Sequence, residues 1–172
     1  MTRPITTKLL EQLGVVLEEA EIACVQDPAL PGFVIPWEKE KDRLGIYAYV
    51  PFDGGLVVRT AVPIELESDQ VLGALALCNE VNRRIPYGTA SFCLDRSVVQ
   101  VRMGRTIFGS LLAEEALSQI GMVRDLAFSL FGPVRLLAAG EGDVSVVVKG
   151  WEEAVRDLDR QDQEETIPDP TE

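Results

Sequence analysis

The amino-acid sequence predicts an α+β domain in which an antiparallel sheet is packed by helices. Three observations lead to this fold class. Some segments carry apolar residues every three or four positions, which is the helical period. Other segments alternate apolar and polar residues, which is the strand period, and hairpin signals join neighbouring strands of this kind. The resulting order is one helix, three strands, a second helix, two strands and a third helix.

The first half of the chain has the clearest patterns. Residues 6–20 have the helical spacing, and residues 33–37 alternate as a first strand. Residues 44–50 and 56–62 alternate as two further strands, and the Asp-Gly-Gly turn at residues 53–55 joins them as a hairpin. We therefore expect an antiparallel meander of three strands after the first helix.

The second predicted helix, residues 68–84, is apolar over most of its circumference. A helix without a clean polar face is typical of one that packs on two sides. We expect one side to pack on the sheet of its own subunit and the other on a partner subunit. The predicted dimer interface consists of Leu72, Leu75, Cys78 and Asn79.

Two asparagines, Asn79 and Asn82, lie three residues apart near the end of this helix. Asparagine is a poor helix former, which suggests that the two side chains are kept for their hydrogen bonds. We predict that they bond to the backbone of a neighbouring strand or loop, because most buried side-chain amides do so. Ligand binding is the alternative.

The second half of the predicted fold is a hairpin followed by a helix. Residues 89–94 and 97–103 form the two strands. The third helix opens at Ser110, is predicted to break near residues 132–133, which are Gly-Pro, and ends at Gly140.

The chain divides, on this reading, into a folded domain at residues 1–140 and an acidic C-terminal extension at residues 141–172. Within the extension, residues 144–148 could form one more strand and residues 151–159 a short helix. Residues 157–172 hold only two strongly apolar side chains, Leu158 and Ile167, so we expect the end of the extension to be disordered.

Composition limits the chemistry that this chain can perform. Its 172 residues include no histidine, which removes the commonest general base, serine–histidine and cysteine–histidine nucleophiles, and most catalytic zinc sites. No phosphate-binding loop or calcium loop occurs in complete form. We therefore predict no enzymatic activity, no catalytic residues, no cofactor and no metal.

The cysteines and the hydropathy pattern indicate the compartment. Three widely spaced cysteines, Cys24, Cys78 and Cys93, form neither an even disulfide set nor a close metal-binding pair. They are predicted to be free buried thiols. No signal peptide and no apolar stretch of roughly 20 residues is present, so we expect a cytoplasmic protein that does not associate with membranes.

Charge is unevenly distributed along the chain. The net charge is −12, yet residues 141–172 hold eleven acidic and three basic residues and so contribute most of it. Residues 83–105 have the opposite imbalance, with five arginines and one acidic residue. These arginines are either solvated surface residues or a docking patch for phosphate, nucleic acid or an acidic segment, including this chain's own tail. This predicted basic patch consists of Arg83, Arg84, Arg96, Arg102 and Arg105.

The order of the elements is similar to that of the small α+β domain of type III secretion chaperones. In this chain, residues 75–88 contain the pattern Asn-x-x-Asn at the end of the second helix. Residues 90–95 then carry Phe92 and the acidic turn residue Asp95. This stretch resembles the YbjN-like family of bacterial proteins. The chain departs from that family in lacking the usual glycine at the hairpin turn and in its extension after residue 140.

The resemblance implies a homodimer with a protein-binding, chaperone-like or regulatory role and no enzymatic activity. We therefore expect an adaptor that binds another protein, which the acidic tail suggests is basic and associated with nucleic acid. A chaperone-like partner would lie along a sheet edge or on an exposed sheet face. The predicted partner-binding residues are Phe33, Ile35, Trp37, Tyr47 and Tyr49.

Two other functions remain open from the sequence. One is direct binding of nucleic acid through residues 83–105, which the net acidity of the chain disfavours. The other is a small-molecule enzyme or sensor, for which no residue set argues.

Overall fold

The computed structural model describes residues 5–39, 41–51, 54–141 and 143–166, with side chains between residues 6 and 156. In chain order the elements are α1 (Ile5–Glu19), β1 (Val25–Gln26), β2 (Gly32–Lys39), β3 (Asp42–Tyr49), β4 (Gly55–Ala61), a 3-10 turn (Ser68–Gln70), α2 (Val71–Arg84), β5 (Thr89–Cys93), β6 (Val98–Thr106), α3 (Ala113–Ala138) and α4 (Val144–Thr166). The strands form one antiparallel sheet in the order β1-β2-β3-β4-β6-β5. The predicted α+β class is confirmed, and β1 and a long α4 are added to the predicted elements.

The sheet has one buried side, because successive side chains of a strand point to opposite faces. Cross-strand pairs on this side are fully or almost fully buried, and they connect β2 with β3, β3 with β4, and β6 with β5. These pairs are Ile35 with Ile46, Ala48 with Val58, and Val101 with Ala90. We call this the helix-facing side of the sheet, since the helices pack on it.

The 26-residue helix α3 is the central element of the helical layer. It contacts β3, β4 and β6 on one side and α1 and α4 on others. The buried amide of Gln119 donates hydrogen bonds to the backbone oxygens of Met103, at 3.0 Å, and Leu56, at 3.4 Å. A single side chain of α3 is therefore bonded to two adjacent strands.

The predicted break at residues 132–133 is wrong, because α3 continues to Ala138. Pro133 removes one helical hydrogen bond. Phe131, Val134 and Leu137 are buried around it, and their burial offsets that loss. The helix ends at Ala138, two residues before Gly140, the glycine that the sequence predicted would stop it.

The end of α3 has the hydrogen bonds of a Schellman motif. Gly140 has a φ of 68°, which favours glycine, and its N–H donates to the oxygen of Leu137 at 3.0 Å. The N–H of Glu141 donates to the oxygen of Leu136 at 3.0 Å. This motif reverses the chain so that α4 can return along α3.

The strand predicted at residues 144–148 is also wrong, since these residues begin α4. Asp143 caps the helix, because its Oδ1 accepts hydrogen bonds from the N–H groups of Ser145, at 2.9 Å, and Val146, at 3.1 Å. The Ser145 hydroxyl and these backbone bonds lower the pKa of the Asp143 carboxyl. The predicted short helix at residues 151–159 is the middle of α4.

Helix α4 packs against α3 and α2. Its anchor is Trp151, which is 3% exposed and donates its indole N–H to the Ser129 hydroxyl at 3.0 Å. The backbone of residues 157–166 continues α4 into the segment whose end is predicted to be disordered. The last part of that segment, residues 167–172, lies outside the described residues. No helix in the described part of the chain is long and apolar enough to cross a membrane.

The predicted backbone bonding of the two asparagines holds for Asn82. Its Oδ1 accepts from the N–H of Ala90 and its Nδ2 donates to the oxygen of Ala90, both at 2.8 Å. Ala90 lies in β5, which is an edge strand, so Asn82 takes the place of a further strand there. Asn79 is exposed, and its side chain forms no hydrogen bond with the described residues.

We expect Asn82→Ala to lower the free energy of unfolding by about 1–2 kcal/mol, because two backbone groups of β5 lose their partners. The matched change Asn79→Ala should leave stability unchanged or raise it by about 0.5 kcal/mol through helix propensity. Urea unfolding of both variants measures the difference. Equal stabilities for the two variants would contradict the assigned role of Asn82.

The three cysteines are expected to differ in reactivity. Cys78 is 4% exposed, and burial raises the pKa of its thiol to about 11, so this thiol stays neutral and unreactive at pH 8. Cys24 and Cys93 are half-exposed. Mass spectrometry after brief iodoacetamide treatment should find both alkylated before Cys78, and alkylation of Cys78 first would contradict this order.

Candidate functional site

The second face of the sheet, which we call the open face, carries the alternate residues of β2 to β6. Most of its side chains are exposed or half-buried, although Val57 and Val98 are buried. At Gly45 no atom of the described residues lies within 4 Å of the position a Cβ would take, so the described part of the chain leaves this part of β3 open. The open face is thus a broad surface of the folded chain that the described helices leave uncovered.

Four side chains of the open face form a cluster across three neighbouring strands. The register places Tyr47 of β3 opposite Arg59 of β4, and Arg59 opposite Arg102 of β6. Tyr49 lies two residues after Tyr47 on the same face. We call Tyr47, Tyr49, Arg59 and Arg102 the tyrosine–arginine cluster.

Arg59 is held between the two tyrosines. Its guanidinium carbon lies 5.6 Å from the ring centroid of Tyr47 and 5.2 Å from that of Tyr49. Such cation–π contacts contribute about 0.5–1 kcal/mol at exposed sites. They fix the guanidinium plane while leaving N–H groups at its edge available to a ligand.

The cluster carries unneutralised positive charge. Among the described residues, neither Arg59 nor Arg102 forms an ion pair, although both are exposed. Like charges placed directly opposite each other on adjacent strands destabilise a sheet. Arg43, on the same face, is paired with Glu38 at 3.2 Å. The open face therefore presents two adjacent cations that no described side chain neutralises, in a chain whose net charge is −12.

The predicted partner-binding residues are divided between the two sides of the sheet. Tyr47 and Tyr49 lie on the open face, whereas Phe33, Ile35 and Trp37 point towards the helices. Ile35 is fully buried, which corrects its prediction as a contact residue, because odd-numbered positions of β2 face the core.

The other two predicted side chains of β2, Phe33 and Trp37, are half-buried and pack against the helical layer. Phe33 packs beside Gly14 of α1. The guanidinium carbon of Arg124 lies 4.8 Å from the ring centroid of Trp37. Phe33 and Trp37 are half-buried on the helix-facing side and the two tyrosines are half-buried on the open face, so the predicted residues do not form one surface.

The predicted basic patch does not form one surface. Arg83 is paired with Glu80 at 2.8 Å, Arg84 with Glu152, and Arg105 with Glu115 at 2.6 Å on the helix-facing side. Arg96 lies in the β5–β6 turn, and only Arg102 belongs to the tyrosine–arginine cluster.

The predicted dimer residues on α2 are also divided, between the surface and the core. Leu72 is 78% exposed and Leu75 is 48% exposed, and Asn79 is exposed beside them. Cys78 is buried in the core of its own subunit, which corrects its prediction as an interface residue. The two leucines are three residues apart, which is close to one helical turn, so they share one face of α2.

Arg59 is the member of the cluster that the sequence reasoning missed. Because side chains alternate along a strand, the position of Arg59 between Val58 and Thr60 shows only that Arg59 points away from the core. Its position beside Tyr47 depends on the register across the hairpin, and a change of one residue in the loop would place it elsewhere.

Metal binding and thiol chemistry find little support among the described residues. No three His, Cys, Asp or Glu side chains among them are close enough to hold a metal ion. The raised pKa of Cys78 makes its thiol a poor nucleophile, and its side chain is buried. The tyrosine–arginine cluster contains hydrogen-bond donors and aromatic rings, which are groups suited to binding.

Comparison with known proteins identifies the fold. No protein-family model matches this chain, and no curated protein matches it in sequence. Among solved structures, it is similar to the crystal structure of YbjN from E. coli, described as "a putative transcription regulator", with a TM-score of 0.53 and 15% identity. The match covers 66% of this chain and 86% of that one. The chain has a YbjN-like fold.

Proposed function

We propose that this chain is a non-catalytic, homodimeric adaptor or regulator that binds an acidic segment of another protein on the open face of its sheet. The tyrosine–arginine cluster is the observation that carries the proposal. Arginine binds carboxylates through two parallel hydrogen bonds, and tyrosine supplies contact area at low cost in conformational entropy. An acidic segment would also remove the repulsion between Arg59 and Arg102.

The charge distribution favours a protein partner over nucleic acid. Nucleic-acid affinity grows with the number of phosphates that cations neutralise, and the cluster offers two cations. Arg83, Arg84 and Arg105 are already paired with carboxylates of the same chain.

The shape of the surface also suits a protein segment. Gly45 and Gly104 lie on the open face within two residues of the cluster, on β3 and β6, and neither carries a side chain that would restrict access. An extended segment could cross β3, β4 and β6 there and place carboxylates against both guanidinium groups. Two charge-assisted contacts of this kind give a moderate affinity that depends on salt.

Homodimerisation through α2 is part of the proposal. Leu72 and Leu75 together expose apolar surface on one helical face, which is costly to leave in water. Two copies of this face would bury all four leucines symmetrically.

We expect the double substitution Arg59→Glu/Arg102→Glu to weaken binding of a short glutamate-rich peptide by about tenfold or more, because two attractive charges become repulsive. Fluorescence anisotropy at low ionic strength measures the affinity. Binding to the unmodified chain should weaken as salt is added.

Lys149→Glu, which reverses one positive charge away from the cluster, is the control, since Lys149 is exposed on α4, in the helical layer on the other side of the sheet. It should leave peptide affinity nearly unchanged. Tighter binding of a single-stranded oligonucleotide than of the peptide would favour the nucleic-acid alternative. Absence of peptide binding, or equal binding by the double variant, would refute the proposed surface.

The substitution Leu75→Asp should convert the dimer to a monomer without unfolding the chain, because Leu75 is about half exposed in the subunit. Light scattering gives the mass, and circular dichroism confirms the fold. Val146→Asp, at an equally exposed position of α4, is the control and should remain dimeric. A monomeric unmodified chain, or a dimer that survives Leu75→Asp, would contradict an interface at this face.

A further inference from the structure

A cavity of about 600 Å³ lies in the helical layer, remote from the open face. It is lined by the helix-facing side of β6, the loop after α2, the middle of α3 and the third and fourth turns of α4, and it opens to solvent. Small-molecule pockets in proteins typically measure about 300–1,000 Å³. The cavity therefore has room for a ligand.

The interior of this cavity is apolar. Its wall includes Val101, Met103, Met122, Leu126 and Val155. Methionine side chains adapt their shape to an apolar ligand, because they are unbranched and flexible.

The two polar groups in the deep part of the cavity are bonded to protein. The Ser129 hydroxyl accepts the indole N–H of Trp151 at 3.0 Å and donates to the backbone oxygen of Leu126 at 2.7 Å. A ligand therefore need not supply a hydrogen bond in the interior, and an apolar chain can occupy it.

Among the described residues, one charged side chain at the mouth of the cavity has no ion-pair partner. Glu152 is paired with Arg84, and Asp125 is paired with Arg124 through contacts of 2.6 and 3.0 Å. Arg156 donates its Nε–H to a backbone oxygen at 3.1 Å and forms no ion pair within the described part of the chain. Its guanidinium remains available at the rim.

We propose that this cavity binds an apolar carboxylic acid that carries one negative charge, such as a medium-chain fatty acid. The hydrocarbon body lies among the methionine, valine and leucine side chains. The carboxylate lies at the mouth against the guanidinium of Arg156. This site is separate from the proposed adaptor surface, since Val101 and Met103 point to the opposite side of β6 from Arg102.

Dodecanoate is the probe, and dodecanol, which has the same chain length and no charge, is its control. The chain has two tryptophans, so the variant Trp37→Phe leaves Trp151 in the cavity wall as the reporter. Titration with dodecanoate should produce a saturable change in Trp151 fluorescence. Calorimetry on the unmodified chain should give the same affinity.

Two substitutions test the placement of the ligand. Arg156→Gln, on an exposed side chain, should weaken dodecanoate binding by about three- to tenfold and leave dodecanol binding unchanged. Val155→Phe, which fills part of the cavity, should weaken both ligands. Lys149→Gln, an exposed change on the same helix outside the cavity, should affect neither.

The proposal is overturned if dodecanoate does not bind, if dodecanol binds as tightly as dodecanoate, or if Arg156→Gln leaves the affinity for dodecanoate unchanged. Because Arg156 is exposed, its substitution tests the proposal even if Val155→Phe fails to fold.

Discussion

Helix packing on one face of the sheet is the constraint from which the other features of this molecule follow. Helix α3 crosses β3, β4 and β6, and its Gln119 is bonded to the backbone of two of these strands. The apolar residues of each strand must then point towards the helices. Their neighbours along the strand must point to the other face, and most of them remain accessible there.

The same constraint creates the tyrosine–arginine cluster. Burial of Ala48 and Val58 on the helix-facing side forces Tyr47 and Arg59 onto the open face and sets them opposite each other. A shift of one residue in this register would turn Arg59 towards the core, where an unpaired charge is costly. The position of the cluster is thus as firmly fixed as the hydrophobic core itself.

Features with a strong local cause could be predicted from the sequence. The alternation of apolar and polar residues predicted the strands, and apolar residues at helical spacing predicted the helices. Gly140 predicted where α3 stops. Features that depend on distant contacts could not. The valines at the start of α4 favour strands locally, yet Val147, Val148 and Trp151 have helical spacing and are buried against α3 and α2.

The candidate site shows the same division. Tyr47 and Tyr49 could be assigned to one side of β3, but Arg59 could not be placed beside them without the hairpin register. The roles of Asn79 and Asn82 could not be told apart, because only the structure shows which one reaches Ala90.

Protection of tyrosines tests the assignment of the open face most directly. The chain has three tyrosines: Tyr47 and Tyr49 in the cluster, and Tyr87, which is 63% exposed, in the loop after α2. Hydroxyl-radical modification of each can be measured with and without a saturating acidic peptide. Binding at the open face predicts slower modification of Tyr47 and Tyr49 and no change at Tyr87. Protection of Tyr87 alone, or of no tyrosine when the peptide is bound, would contradict it.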